Sequence, residues 1–252
     1  MSCEVLYTAS SQEYQLMAAH SIRSLRGVSD LPIVFMTPFP EIADLGEIEN
    51  VTIIKTEPNP SKIRREQGGT DSNLFFNSDV FKTKLLDIKE RLSETEKDTL
   101  IYVDADTRFL ADPLEVISDC YDIAICREAV FDVEKRTRLF GEVVRQSYNT
   151  GFLALNKTER TIDLIEQTLL TYQEFISKLN DLDWQKGRIK NNELWCNDQK
   201  ALNICLGKDP LIKILVLPNE WNVRKHIINE IKNPKMYHIH NLHKKTGPFL
   251  VK

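Results

Sequence analysis

The chain has no surplus of positive charge. Lys and Arg number 33 against 37 Asp and Glu, a formal net charge of −4, and this excludes a general nucleic-acid binder, which carries a basic face. Paired cysteines are also missing. Cys3, Cys120, Cys126, Cys196 and Cys205 are odd in number and scattered, so they predict reduced, mostly buried thiols rather than a disulfide framework or a zinc site. No apolar run reaches the length that crosses a bilayer, and no charged-then-apolar signal pattern opens the sequence. The expected location is the cytoplasm, and attachment to a membrane periphery is compatible with it. Internal repeats, low-complexity tracts and clear linkers are absent too. What remains is an ordinary globular composition, 42% hydrophobic and 28% charged over 252 residues, enough to bury a sizeable core.

Strands and helices alternate along the chain. Glu4 to Thr8 reads as a strand, Ala9-Ser10-Ser11 as a helix cap, and Gln12 to Leu25 as a helix. Leu31 to Met36 and Val51 to Lys55 read as further strands. Ser61 to Asp79, with Gly68-Gly69 and Arg64-Arg65, reads as a long polar loop, a candidate lid. From Val80 to Arg91 the apolar residues Phe81, Leu85, Ile88 and Leu92 recur with helical period. A strand at Tyr121 to Cys126 follows a short helix after Pro113. This order predicts an α/β fold with a largely parallel sheet, in which ligands bind beyond the carboxyl ends of the strands.

One strand carries chemistry at that end. Leu100-Ile101-Tyr102-Val103 runs into Asp104-Ala105-Asp106, and residues i and i+2 of a strand point the same way, so both carboxylates can converge on one object. Two hard carboxylates suit Mg²⁺ or Mn²⁺, ions that keep positions open for water and substrate phosphates. Further along, Met236-Tyr237-His238-Ile239-His240-Asn241-Leu242-His243 gathers three of the five histidines. On a strand the rings of His238 and His240 share a side, and one of them can add a nitrogen ligand. Ser147 to Asn156 predicts a strand whose Gly151 permits close backbone approach and whose Asn149 offers an amide to hydroxyl groups. Trp195-Cys196-Asn197-Asp198-Gln199 opens a helix through Leu206, with Asp198 at its start. Leu217-Pro218-Asn219-Glu220-Trp221-Asn222 predicts an extended segment ending in an aromatic–amide pair.

Taken in order, these motifs resemble the GT-A glycosyltransferases, especially the retaining branch that includes glycogenin and bacterial lipopolysaccharide galactosyltransferases. The matching pieces are Tyr7-Thr8-Ala9-Ser10, Phe81-Lys82-Thr83-Lys84-Leu85, Tyr102-Val103-Asp104-Ala105-Asp106-Thr107, Tyr148-Asn149-Thr150-Gly151, Asn197-Asp198-Gln199, Leu217-Pro218 before Trp221-Asn222, and the histidine run. The resemblance covers nearly the whole chain. It implies a Rossmann-like GT-A domain over 1–252, with a nucleotide-binding half at 1–126 and an acceptor- and metal-completing half at 127–252.

It also implies roles. Asp106 and Asp104 would hold Mn²⁺ or Mg²⁺ bridging the diphosphate of a nucleotide-sugar donor, UDP-linked by preference and GDP-linked as the other choice. Asp104 and the backbone of Ala105 would lie along the ribose. Thr8, Ala9, Ser10 and Tyr14 would cradle the base, and Lys84 rather than Lys82 matches the basic residue that precedes the aspartates. A metal-ligating His followed six residues later by a phosphate-binding Lys maps onto His238 and Lys244, with His240 the other candidate ligand. Asn241 stands where that family has Gly, and its Lys-Pro-Trp is absent. Asp198, Gln199 and Asn149 would line the donor sugar, with Asp198 and Gln199 the catalytic pair, and Gly151 is counted among the residues that bind the nucleotide sugar. The implied reaction is transfer, with retention, to a glycan, glycolipid or glycoprotein hydroxyl, the leaving phosphate taking the acceptor's proton. Two rivals share some of these features: a sugar-nucleotide pyrophosphorylase, whose Gly-rich basic N-terminal signature is missing here, and a non-catalytic carbohydrate-binding module.

Overall fold

The computed structural model describes residues 1–42, 45, 48–57, 72–128, 138–139, 142–143, 147–181, 198–225 and 227–239. Seven strands form the central sheet: β1 (Cys3–Thr8), β2 (Ile33–Thr37), β3 (Val51–Lys55), β4 (Thr99–Val103), β6 (Ile123–Arg127), β9 (Tyr148–Asn156) and β10 (Ile214–Leu217). Their order is β10-β6-β9-β4-β1-β2-β3. Four of the six neighbouring pairs are parallel. β9 alone reverses direction, lying antiparallel to both β4 and β6.

Most of these strands read as unbroken apolar runs because helices cover both faces of the sheet. Side chains alternate between the two layers. Val5, Tyr7, Ile33, Phe35, Ile101 and Val103 pack on one side with Met17, Ile22 and Leu25 of α1 (Gln12–Arg26). Leu6, Val34, Leu100 and Tyr102 face the other side, against Ile88 and Leu92 of α2 (Ser72–Glu94), Ile165 of α3 (Glu159–Asp181) and Leu202 of α4 (Asp198–Lys208). Each of these apolar side chains contributes about 1.5–3 kcal/mol when fully buried. Ser11 caps α1 by accepting from the Tyr14 amide, with Glu13 in the first turn and Arg23 and Arg26 in the last, which matches the helix dipole.

Two expectations change. Residues 72–79 are the first turns of α2, not loop; residues 58–71, with Arg64 and Arg65, lie outside the described residues. The segment before Trp221 closes as a 3-10 turn, Asn219–Trp221, rather than staying extended.

Two features of the fold shape the cleft. The register of β9 against β6 shifts after Ile125–Leu153, the next pair being Cys126–Asn149. Thr150, Gly151 and Phe152 are therefore released from β6 while β9 still pairs with β4 through Phe152, an irregularity of the kind that re-aims side chains beside active sites. Secondly, β5 (Thr107–Phe109), directly after the Asp pair, pairs antiparallel with β11 (Met236–His238), bringing His238 opposite Thr107. β7 (Arg138–Leu139) and β8 (Glu142–Val143) form a separate small hairpin. Among the described residues, no helix is long and apolar enough to cross a membrane.

Candidate active site

The chain leaves β4 at Val103, and the Asp104 amide donates to the carbonyl of Gly151 at 2.9 Å, tying the turn to the strand next door. Thr107 Oγ1 donates back to the Asp104 carbonyl at 2.9 Å and sits 2.6 Å from Ser21 Oγ, itself 2.9 Å from the buried Tyr7 hydroxyl. This hydroxyl chain holds the Asp-Ala-Asp turn against α1. The Ile239 amide donates to the Asp106 carbonyl at 3.0 Å, so β11 is fastened to the same turn.

The two oxygens of Asp104 do different things. Oδ1 accepts from Lys84 Nζ at 2.9 Å and from the Tyr102 hydroxyl at 2.8 Å, whereas Oδ2 faces His238 Nε2 at 3.5 Å. Asp106 Oδ1 lies 3.2 Å from the same nitrogen. One ligand atom from each of Asp104, Asp106 and His238 falls within 4.8 Å of the others. The ring of His238 is oriented by Asn222, whose Oδ1 lies 2.9 Å from Nδ1. An amide oxygen can only accept, so Nδ1 donates to it, and Nε2 is the ring nitrogen turned toward the carboxylates.

Gly151 is not on the cleft wall. It stands behind His238: a Cβ there would lie 2.1 Å from Cε1 and 2.3 Å from Nδ1 of the ring. Only glycine leaves space for this histidine, so Gly151 supports the placing of the His238 ring.

Lys84 is buried and bridges two carboxylates, Asp104 at 2.9 Å and Asp198 at 2.7 Å. It also donates to the Thr150 carbonyl at 3.0 Å, and Thr150 Oγ1 donates to Asp198 Oδ2 at 2.7 Å. Burial acts to lower the Lys84 pKa, but the combined attraction of Asp104 and Asp198 outweighs it and the pKa ends raised. Lys84 is therefore a permanent internal cation, 4.5 Å from the centre of the Tyr102 ring. Burial, then the charge of Asp104, drives the Tyr102 hydroxyl well above its ordinary pKa, so it stays a donor.

On the opposite wall Glu128 accepts from Asn149 Nδ2 at 3.0 Å and from Gln199 Nε2 at 2.7 Å, and Asn149 Nδ2 also reaches Gln199 Oε1 at 3.0 Å. Asn149 Oδ1 accepts the Gly151 amide. Asn203 fixes this corner by bonding both backbone groups of Tyr148 and the Gln199 carbonyl.

Lys84, Tyr102, Asp104, Asp106, Glu128, Asn149, Thr150, Asp198, Gln199 and His238 surround a single cavity of about 310 Å³, together with Thr8, Ala9, Ser10, Tyr14 and Ala105. The Ser10 hydroxyl is buried and, among the described residues, has no hydrogen-bond partner. Tyr14 is half-buried, and burial, then Asp106 and Asp104, raises its pKa. Of the residues expected from sequence, Thr8, Ala9, Ser10, Tyr14, Lys84, Asp104, Ala105, Asp106, Asn149, Asp198, Gln199 and His238 line this one cavity. His240 and Lys244 lie outside the described residues. Glu128, Thr150 and Arg224 line it as well and were not expected; Asn222 carried a signal, the Trp-Asn pair, but no assigned role.

No family model and no curated protein matches this sequence. Solved structures do. The apo form of mouse xyloside xylosyltransferase 1 has a TM-score of 0.56 at 13% identity, over 98% of this chain and all of that one. The galactosyltransferase LgtC, in complex with donor and acceptor sugar analogues, has a TM-score of 0.60 at 12% identity, over 97% of this chain and 87% of that one. An active-site mutant of LgtC, glutamine to glutamate, has the same TM-score over 94% and 87%. The chain has the GT-A fold, the α/β architecture of these glycosyltransferases.

Proposed function

We propose that this protein is a glycosyltransferase that moves a sugar, with retention, from a nucleotide diphosphate, UDP by preference, to a hydroxyl of a glycan acceptor. The observation that carries the reading is the meeting of Asp104, Asp106 and His238, from distant parts of a GT-A chain, at one end of a polar cavity. In our reading residues 1–126 hold the nucleotide, and 127–252 complete the metal site and receive the acceptor.

The residues present fit a divalent ion. Two carboxylates and an imidazole with its tautomer fixed form a donor set suited to Mn²⁺ and acceptable to Mg²⁺. Gly151 provides the recess that this set requires. When bound, such an ion supplies Lewis-acid stabilisation of the diphosphate leaving group.

The chain's own groups account for the rest. Thr8, Ala9, Ser10 and Tyr14 border the end of the cavity nearest β1 and α1, where the Ser10 hydroxyl, without a partner among the described residues, would bond a base edge. Lys84 bridges Asp104 and Asp198, offsets part of their charge and holds both carboxylates in place. The Glu128–Asn149–Gln199 cluster presents amide and carboxylate groups to sugar hydroxyls. Asp198 places negative charge where positive charge grows at the anomeric carbon. No side chain is assigned as the general base; the leaving phosphate takes the acceptor's proton.

Slow hydrolysis of a panel of UDP- and GDP-sugars tests this, with Mn²⁺ and with chelator, for wild type and Asp106→Ala. Metal-dependent release of a nucleoside diphosphate from one donor, with the sugar freed in its original anomeric form, is expected. Conversion of the donor and added pyrophosphate into a nucleoside triphosphate and a sugar 1-phosphate instead would point to a pyrophosphorylase. Failure to bind any nucleotide would leave a carbohydrate-binding module.

A further inference from the structure

Arg224 belongs to none of the motifs above, yet it lines the cavity beside the metal-ligand set. Its backbone is held firmly. Val223 bridges to Tyr237, its amide donating to the Met236 carbonyl and its carbonyl accepting from the His238 amide, both at 3.0 Å. Arg224 Nη1 then lies 3.2 Å from Nδ1 and 3.4 Å from Nε2 of His238. A point so nearly equidistant from both nitrogens lies over the ring, off the axis of either lone pair. Nδ1 in any case spends its proton on Asn222. The imidazole is thus a platform for the guanidinium and not its acceptor. Among the described residues no carboxylate pairs with Arg224, although Asp104 and Asp198 are both paired with Lys84.

A fixed cation there opposes a divalent ion. Nε2, the atom aimed at the metal position, is 3.4 Å from Nη1, so an ion about 2.1 Å beyond Nε2 would lie within about 5.5 Å of the guanidinium, where like charges repel appreciably even at a protein surface. Two adjacent cationic centres are stable together when a polyanion lies between them, and a planar guanidinium is shaped to take two phosphate oxygens at once.

We infer that Arg224 is a diphosphate-binding residue, and that it weakens the divalent ion's hold on the empty site so that ion and diphosphate are bound together. The inference rests on the donor reading above and specifies which group of the chain, beside the ion, grips the leaving group. It also implies an order: the ion is retained once the nucleotide diphosphate is present and released with it.

The test uses the whole chain with three probes: Mn²⁺ alone, followed by electron paramagnetic resonance; inorganic pyrophosphate in chelator; and UDP in chelator. Arg224→Met is expected to bind Mn²⁺ alone about tenfold more tightly than wild type, and to bind pyrophosphate and UDP about tenfold more weakly. Arg224→Lys, which keeps the charge and loses the fork, is expected to stay within about threefold of wild type for Mn²⁺ and to recover part of the pyrophosphate affinity. If Arg224 only braces the His238 ring, Arg224→Met loosens the ligand and Mn²⁺ affinity falls; that result overturns the inference. Unchanged pyrophosphate affinity in Arg224→Met, or no pyrophosphate binding by wild type, overturns it equally. Wild type that binds pyrophosphate through Arg224 but neither UDP nor any nucleotide sugar would refute the donor reading while leaving the diphosphate site standing. Melting temperatures of both variants, expected near wild type for this partly exposed side chain, verify the fold.

Discussion

Replacing Gly151 by alanine isolates the recess that admits His238. The new methyl carbon would sit 2.1 Å from Cε1 of the ring and 2.9 Å from Asn149 Oδ1. The shortest ordinary contact is 3.4 Å, so the ring must retreat by about 1.3 Å. Retreat breaks the 2.9 Å contact with Asn222 and draws Nε2 away from both carboxylates. The backbone has little freedom to yield instead, because the Gly151 carbonyl accepts the Asp104 amide and its amide is bonded to Asn149. Overpacking of this kind costs about 1–3 kcal/mol of stability. Disturbing a metal ligand's support alone costs 10–100-fold in affinity, so displacing the ligand itself is expected to cost at least about 100-fold. Calorimetric titration of Mn²⁺ with UDP present, beside thermal melts, measures both effects. The double variant Gly151→Ala/His238→Ala removes the clash, so it should melt above Gly151→Ala while binding metal no better; this non-additivity is the signature of a direct contact. Wild-type metal affinity and melting temperature in Gly151→Ala would refute the reasoning.

Other predictions follow from neighbouring contacts. Asn222→Ala frees the tautomer of His238 and should lower Mn²⁺ affinity about 10–100-fold with little change in melting temperature, read by the same titration. Lys84→Met strands Asp104 and Asp198 beside each other without their shared cation, a loss of about 3–5 kcal/mol on chemical denaturation. Because the Lys84 pKa is raised on folding, its stabilisation is complete below the ordinary lysine value of 10.5 and fades as pH climbs through the raised value; Lys84→Met should lose that alkaline slope. Asp87, buried on α2, has its carboxyl pushed from 3.8 to about 8 by burial and then by Glu90. Between those values the unfolded chain is ionised and the folded one protonated, so stability falls as pH rises from about 4 to 8. Asp87→Asn should flatten that decline and melt higher than wild type at pH 8, by on the order of 1–3 kcal/mol.

Much of the architecture was legible because local pattern and burial agree. Leu100 to Val103 is apolar and β-prone since both faces of β4 are covered, and the Asp pair falls at its carboxyl end, where a parallel sheet opens its cleft. Ser11 and the periodicity of α1 located that helix almost to the residue. The reversal of β9 left no such mark, because an antiparallel strand buried on both faces has the same composition as a parallel one. Residues 72–79 read as loop because asparagine and serine weaken helix propensity, yet they form the first turns of α2, where propensity is a weak guide against tertiary context. Within the site, Asp104 and Asp106 announced themselves through chemistry and spacing, whereas the histidine run left His238 and His240 open and only the family resemblance favoured His238. Glu128 and Arg224 did not: each is an ordinary charged residue in sequence, and it gains meaning only because β6 ends opposite α4 and the Val223–Tyr237 bridge runs beside the histidine. Gly151 was noticed for close approach, but the object approached was a side chain eighty-odd residues away, which no local pattern encodes.

The central claim is that Asp104, Asp106 and His238 form the ion site on which a nucleotide diphosphate is bound. Calorimetric titration of UDP into wild type and Asp106→Ala, each with Mn²⁺ and with chelator, tests it most directly. The account predicts tight binding to wild type with Mn²⁺, a loss of at least about tenfold in chelator, and no Mn²⁺ enhancement in Asp106→Ala. Equal UDP affinity in all four titrations, or none in any, would contradict it.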